Sequence, residues 1–246
     1  MMDSIHDLLR SHTSIRSFTD EPVDDQAVAD LIRSGLSAAT SSNLQATTVI
    51  RVQNQATRDR FVEVAGGQRY VGTAPVFLVW CADLHRTRRA CEMAGGTMTS
   101  GMTEQFIIAT VDVALAAQNT VVAAEAQGFG ICYIGAIRND PQVVSDLLEL
   151  PDDVYPVFGM CIGRPKSNPE VKPRLPIEIV LKNDVYSDEG DEALIKGYDE
   201  VISEYYRTRS GGTKESSWTE EMAGLVDGER RPHMRQFLAD RGFEMR

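Results

Sequence analysis

Residues 103–127, TEQFIIATVDVALAAQNTVVAAEAQ, constrain this chain more than any other stretch. Their apolar side chains go most of the way round a helical wheel, and Gly128 and Gly130 stand where such a helix ends. A helix of that kind is buried in a large core or an interface. Glu104, Asp112, Gln118, Asn119 and Glu125 interrupt the run and argue against a membrane span. The full length of 246 residues is enough for one large α/β domain or two small ones.

The surrounding segments supply the partners. TTVIRVQ (47–53) is β-branched and short enough for a strand, and PVFLVWCAD (75–83) is a nearly continuous apolar run suited to a strand buried on both faces. GICYIGA (130–136) and YPVFGMCIG (155–163) read as further strands, and IEIVLK (177–182) as a final one. Helices are expected over 3–10, 24–39, 140–150, 191–208 and 229–241, with Asp24 as an N-cap and Pro141 at a first helical position. RPKSNPEVKPRLP (164–176) holds four prolines and reads as an extended connection, and SGGTKESS (210–217) as a flexible loop. Helices interleaved with four or five strands indicate an α+β or α/β sandwich around one mixed sheet.

The formal charge of −11 predicts no general attraction to nucleic acid or anionic lipid, so any anion site has to be local. Cys81, Cys91, Cys132 and Cys161 lie far apart with no C-x-x-C pair, which suggests neither a disulfide framework nor a zinc site and fits a reducing cytoplasm. The N-terminus lacks the basic and apolar regions of a secretory signal. His6, His12, His85 and His233 lack ligand spacing, so no metal is expected. G-x-S-x-G, H-E-x-x-H, P-loop and Rossmann patterns are absent, and no protein nucleophile is evident. What remains is a scatter of donors. SHTSIRSFTD (11–20) carries His12, Ser14 and Arg16, TSSNLQ (40–45) carries hydroxyls and amides, and Lys172 and Arg174 alternate across Pro173, a spacing that sends both to one side of an extended chain. These groups suit a phosphate and a polar ring, while a polar loop and a solvated basic patch also account for them.

HTSIRSFTDEPV, SAATSSNLQ, GGQRYV, AAQNTVVAAEAQGFGICYIGAIRND, LPDDVYPVFGMCIGRP and NPEVKPRLP, in this order and spacing, resemble the nitroreductase family. The likeness is to the group A oxygen-insensitive nitroreductases and flavin reductase P-type enzymes, and it continues through YDEVISEYY to RRPHMRQFL over almost the whole chain. The resemblance implies one α+β nitroreductase-like domain over 1–246, a homodimer with a non-covalent FMN in each interfacial active site, and a C-terminal extension, about 191–246, on the partner subunit and the rim of the site. The long helix would then belong to the subunit interface.

By the same resemblance His12 and Ser14, with Thr13 between them, contact the FMN phosphate, and Arg16 approaches the N1/O2 edge, where a fixed guanidinium favours the reduced cofactor. Thr40, Ser41, Ser42 and Gln45 lie near the flavin and Gln68 faces its pyrimidine edge. The backbone of Tyr133, Ile134, Gly135 and Ala136 lies beside N5, and Lys172 and Arg174 complete the phosphate clamp. Asn43, Arg138, Arg209, Lys214 and Arg231 fall on the side of the acceptor and of NADPH or NADH. The implied activity is ping-pong hydride transfer from NAD(P)H through flavin N5 to nitroaromatics, quinones or flavins, two electrons at a time, with no catalytic side chain of the protein's own. Two other roles are compatible with the same fold: supply of reduced FMN to a partner monooxygenase, and flavin binding without turnover. The sequence departs from the family pattern at Thr13, where arginine is usual, at Asn43, where an aromatic is frequent, and at Ala136, where glycine is common. Thr213, Lys214 and Glu215 stand at a second basic position of the NADPH-preferring members, which implies weaker discrimination of NADPH over NADH.

Overall fold

Alternation along PVFLVWCAD sends Phe77, Val79 and Cys81 to one face of a sheet and Leu78, Trp80 and Ala82 to the other, and both faces are covered by hydrophobic clusters. The computed structural model describes residues 4–209 and 214–246, which divide into two compact units: residues up to Asn168 together with Arg231–Arg246, and Pro169–Arg230.

In the larger unit, Ser4 caps α1 (Ile5–Arg10) and Asp24 caps α2 (Asp25–Leu36), each side chain accepting an amide of the first turn. Then follow β1 (Thr47–Arg51), α3 (Gln55–Val64), α4 (Tyr70–Thr73), β2 (Val76–Asp83), α5 (His85–Met93), α6 (Thr103–Ala126), β3 (Gly130–Ile134), α7 (Pro141–Leu147) and β4 (Val154–Gly163). The smaller unit holds α8 (Ile177–Val180), α9 (Asp191–Thr208) and α10 (Trp218–Val226), and α11 (Met234–Asp240) returns to the larger one.

The strands lie in the order β1-β2-β4-β3 and every pairing is antiparallel. This corrects the mixed sheet expected from the sequence. The one parallel element among the described residues is a single bridge from Ser14 to Ile131 on the outer edge of β3. Opposite Trp80 and Cys81 the partners are Phe158 and Pro156, so Val157 is skipped as a bulge beside a proline that has no N–H to give to the ladder.

On one face α6 packs small residues, Ala109, Val113, Ala116, Ala117, Val121 and Ala124, over Leu78, Trp80, Ile131, Met160 and Ile162. Gly35 lets α2 approach equally closely: a Cβ there would stand 2.1 Å from Thr120 Oγ1 and 2.8 Å from the Ala116 carbonyl oxygen. By length and composition α6 also meets the pattern of a membrane span, but its buried side is the centre of this core. The opposite face of the sheet is covered by Phe61, Val71 and Val144 from α3, α4 and α7.

Three sequence expectations change. IEIVLK is a one-turn helix rather than a strand, because Pro176 (φ −53°) starts a turn and its own unit contains no sheet among the described residues. The last helix shrinks from 229–241 to Met234–Asp240, since Arg231 takes a left-handed φ of +52° just before Pro232. Helices α3, α4, α5 and α10 were not anticipated, and residues 210–213 of the expected loop lie outside the described residues.

Gly159 on β4 has no room for a side chain: an added Cβ would meet the Phe77 ring at 2.7 Å. Gly159→Ala should therefore destabilise the protein by about 1–3 kcal/mol, read as a lower urea midpoint with an unchanged slope.

Candidate functional site

The segment after α1 is pinned to the sheet edge by one residue. Ile15 is buried, its amide donates to the Ile131 carbonyl at 2.8 Å, and its side chain fills the space that a Cβ at Gly130 would take. In an extended segment the neighbours of a buried residue point the other way, which turns Ser14 and Arg16 outward. His12 is fixed separately: its Nδ1 lies 2.6 Å from Glu125 Oε1 near the end of α6.

Arg16 is exposed and meets Tyr70 and Cys132. Burial raises the pKa of both of these groups and the Arg16 charge acts against that rise. The Tyr70 hydroxyl in turn donates to Gln68 Oε1 at 2.6 Å. Arg16 and Gln68, far apart in sequence, are thus linked through Tyr70. None of the ion pairs among the described residues takes up Arg16, Arg138 or Arg231. In a chain of net charge −11, guanidiniums without a carboxylate are the groups suited to an anionic ligand.

Residues 40–46 hang from a carboxylate. Asp112, buried in the middle of α6, accepts from the Thr40 hydroxyl (2.6 Å) and from the amides of Ser41 (3.2 Å) and Ala46 (3.1 Å). Thr40 Oγ1 in turn accepts from the Gln45 amide at 2.8 Å. The turn between takes positive φ at Ser42, Asn43 and Gln45, a left-handed run that costs backbone energy in residues with a Cβ. The side chains of Ser41, Ser42, Asn43 and Gln45 are exposed as a result.

The turn after β3, Gly135–Asn139, is held by its arginine. Arg138 Nη1 donates to the Val157 carbonyl at 2.5 Å, the bulged residue of β4, and a Cβ at Gly135 would press on that guanidinium at 3.1 Å. Burial lowers the Arg138 pKa and the nearby Arg231 charge adds to the effect. Arg231 donates to Asn139 Oδ1 at 3.0 Å, and His233 Nε2 lies 3.0 Å from the Arg138 carbonyl. Ile134 is buried and Ala136 half-buried, and Tyr133 packs edge-on against Phe158 while its hydroxyl donates to Gln118 Oε1 at 3.4 Å.

In the smaller unit the expected pair diverges. Lys172 donates to the Tyr206 hydroxyl and lies 3.5 Å from Glu221, whereas Arg174 bends back to the Lys172 carbonyl at 3.1 Å instead of pointing with it. Arg209 and Lys214 also stand at the Tyr206 ring. Within the larger unit the structure thus brings Ser14 and Arg16 together with Gln68 and the β3 edge through Tyr70 and Ile131, while the Thr40–Gln45 turn is held separately at Asp112, thirteen positions along α6 from the Glu125 that engages His12; within the smaller unit it brings together Lys172, Arg209 and Lys214. Asp112, Glu125, Tyr70 and Glu221 were not singled out from the sequence as site residues. The signal for the first two was present, as carboxylates inside an otherwise apolar helix.

Comparison with known proteins places the chain. The model for the nitroreductase family matches residues 9–164, and that for the nitroreductase family, C-terminal domain, matches residues 172–246. An oxygen-insensitive NADPH nitroreductase of Salmonella typhimurium is 40% identical over 98% of both chains. The structure of B. megaterium NfrA1 superposes with a TM-score of 0.95 at 38% identity, covering 98% of this chain and all of that one. The NADPH:FMN oxidoreductase of Vibrio harveyi complexed with NAD+ gives a TM-score of 0.90 at 36% identity over 98% of this chain and 99% of that one.

Asp112→Ala removes the acceptor of three donors at once. A loss of about 2–4 kcal/mol in urea unfolding is expected, with faster amide exchange at Ser41 and Ala46, and Asp112→Asn should lose less.

Proposed function

The chain belongs to the nitroreductase family, and from that premise we infer that it is an FMN-dependent NAD(P)H oxidoreductase that reduces nitroaromatics, quinones or flavins by two electrons. The observation that carries this reading is Arg16, an exposed guanidinium with no carboxylate partner among the described residues, linked through Tyr70 to Gln68 and lying along the strand that leads to Tyr133–Ala136.

The residues present fit FMN in the chemistry of their donors. His12, Ser14 and Arg16 offer three side-chain donors on one short segment, and the absence of a Cβ at Gly135 leaves the backbone approachable beside Arg138. When bound, FMN would supply a hydride acceptor at N5, through which electrons can pass in pairs. His12, its Nδ1 engaged by Glu125, presents Nε2 to the phosphate, with Thr13 and Ser14 beside it. Arg16 holds the N1/O2 edge, and Gln68 reads the pyrimidine edge in an orientation set by Tyr70. Thr40, Ser41, Ser42 and Gln45, on a turn that Asp112 keeps from relaxing, would offer further hydrogen-bonding groups to the flavin. Asn43, Arg138 and Arg231 border the acceptor, and the two arginines favour acceptors that carry or develop negative charge. Arg209 and Lys214 serve the donor nucleotide.

The active form is a homodimer. The stripe Ile107, Val111 and Leu115 repeats every four residues along α6 and stays between 42% and 48% exposed in the single chain. Within the stretch from about 191 to 246, Val201, Leu225 and Val226 are exposed in the single chain, which supports its contact with the second subunit. Four free thiols, three of them buried, support a cytoplasmic location.

The decisive experiment is anaerobic addition of NADPH, and separately NADH, to the yellow protein. Bleaching of the flavin band followed by recovery on adding a nitroaromatic or quinone is expected, and a protein that cannot be reconstituted with FMN would refute the reading. Arg16→Ala should weaken FMN about ten- to a hundredfold, the loss of one or two charge-assisted hydrogen bonds, seen as flavin lost on gel filtration. Val111→Glu should shift the protein from dimer to monomer in sedimentation velocity.

A further inference from the structure

Tyr206 is 3% exposed, yet three cations crowd its ring. Lys172 Nζ lies 4.8 Å from the centroid, and Lys214 Nζ and the Arg209 guanidinium carbon each 4.7 Å. One carboxylate sits among them. Glu221 Oε2 accepts from the Tyr206 hydroxyl at 3.0 Å and lies 3.5 Å from Lys172, and Oε1 pairs with Lys214. Of the three cations, Arg209 is the one that no ion pair among the described residues takes up.

Glu221 is held there by its helix. Ser217 and Glu220 form a reciprocal cap at the start of α10, and Asp199 of α9 accepts both the Thr219 amide (2.9 Å) and hydroxyl (2.6 Å). Burial by itself would raise the Glu221 pKa, but the hydrogen bonds from Lys214 and Tyr206 and the charges of Lys172 and Lys214 outweigh it and hold the carboxyl below its ordinary value. The group is therefore an anion seated where cations converge.

We propose that Glu221 is an internal anion in the cage that receives the 2′-phosphate of NADPH, and that it thereby sets how weakly the protein discriminates NADPH from NADH. The inference rests on the reading that Arg209 and Lys214 face the donor nucleotide. A phosphate dianion entering the cage has either to draw Lys172 and Lys214 away from Glu221 or to sit beside its negative charge, and both are unfavourable. NADH carries only an uncharged hydroxyl at this position and meets neither cost. Arg209 remains available to a phosphate in either case. Glu221 thus acts on a single group of the donor and leaves the rest of the dinucleotide unaffected.

Calorimetric titration of the FMN-loaded protein with 2′,5′-ADP and with 5′-AMP isolates the 2′-phosphate. Glu221→Gln keeps an acceptor for the Tyr206 hydroxyl and removes the charge. It should bind 2′,5′-ADP about three- to tenfold more tightly, a change of roughly 0.7–1.4 kcal/mol, with 5′-AMP unchanged. An unchanged 2′,5′-ADP affinity, or an equal gain for both nucleotides, overturns the proposal. Glu221→Ser repeats the comparison with the carboxylate deleted, and the same gain is expected if the amide strains the pocket. Arg209→Ala reports on the reading beneath. If it weakens 2′,5′-ADP while neither Glu221 variant tightens it, the cage binds phosphate and the role given to Glu221 is wrong. If it binds 2′,5′-ADP as the parent does, the cage is not the phosphate site and both fall.

Discussion

The close approach of α6 to the sheet and to α2 is the constraint on which the rest of the larger unit depends. It is achieved with alanine and valine rather than with large side chains, and with a glycine on α2 where Thr120 touches it. Small residues bury less area each, but they let three layers of backbone approach, and dispersion contacts grow steeply as the gap closes. The same helix carries polar groups that hold three neighbouring segments. Asp112 draws in the Thr40–Ala46 turn, Gln118 receives Tyr133, and Glu125 holds His12. Any shift of α6 along the sheet would therefore move three separate segments at once, which couples their positions to the packing of the core.

Electrostatics in this chain follow from its acidity. With a net charge of −11 the protein repels anions at long range, and binding a phosphate requires arginines and lysines whose charge is not already spent on a carboxylate. Among the described residues of the larger unit Arg16, Arg138 and Arg231 stand in no ion pair, while Arg33, Arg60 and Arg89 are paired with acids on their own helices. Arg138 and Arg231 stand near enough for one to depress the pKa of the other. Such a like-charge pair is maintained by its hydrogen bonds to the Val157 carbonyl and Asn139, and the β-bulge at Val157 is what places that carbonyl within reach.

Much of the fold was legible in the sequence where burial is two-sided or periodic. β2 and β4 are continuous apolar runs and α6 a long one, so their existence followed from composition alone. Of the missed helices, α3 buries only Arg58 and Phe61, α5 and α10 contain no fully buried residue, and α4 is a single turn too short to show a period. Strand direction was not legible, because it depends on how connections route the chain and not on any local pattern, and IEIVLK has strand-like residues with no edge to join. Among the site residues, spacing alone left His12, Ser14 and Arg16 as an unexplained cluster, and their assignment came from the family resemblance. The supporting carboxylates were hidden by distance along the chain: Thr40 and Asp112 are 72 positions apart, and His12 and Glu125 are 113 apart. Only tertiary structure shows which donor a lone acid serves.

The cation cage illustrates why a binding site for a phosphate need not be optimised for one. Lys172, Arg209 and Lys214 around a single ring repel one another, and without a counter-ion the ligand-free unit would carry that repulsion at all times. Glu221 relieves it and ties α10 to α9 through Tyr206. The relief is present whether or not a nucleotide is bound, whereas a phosphate contributes only while it is there. Stability of the free protein and selectivity for a 2′-phosphate therefore pull the same carboxylate in opposite directions.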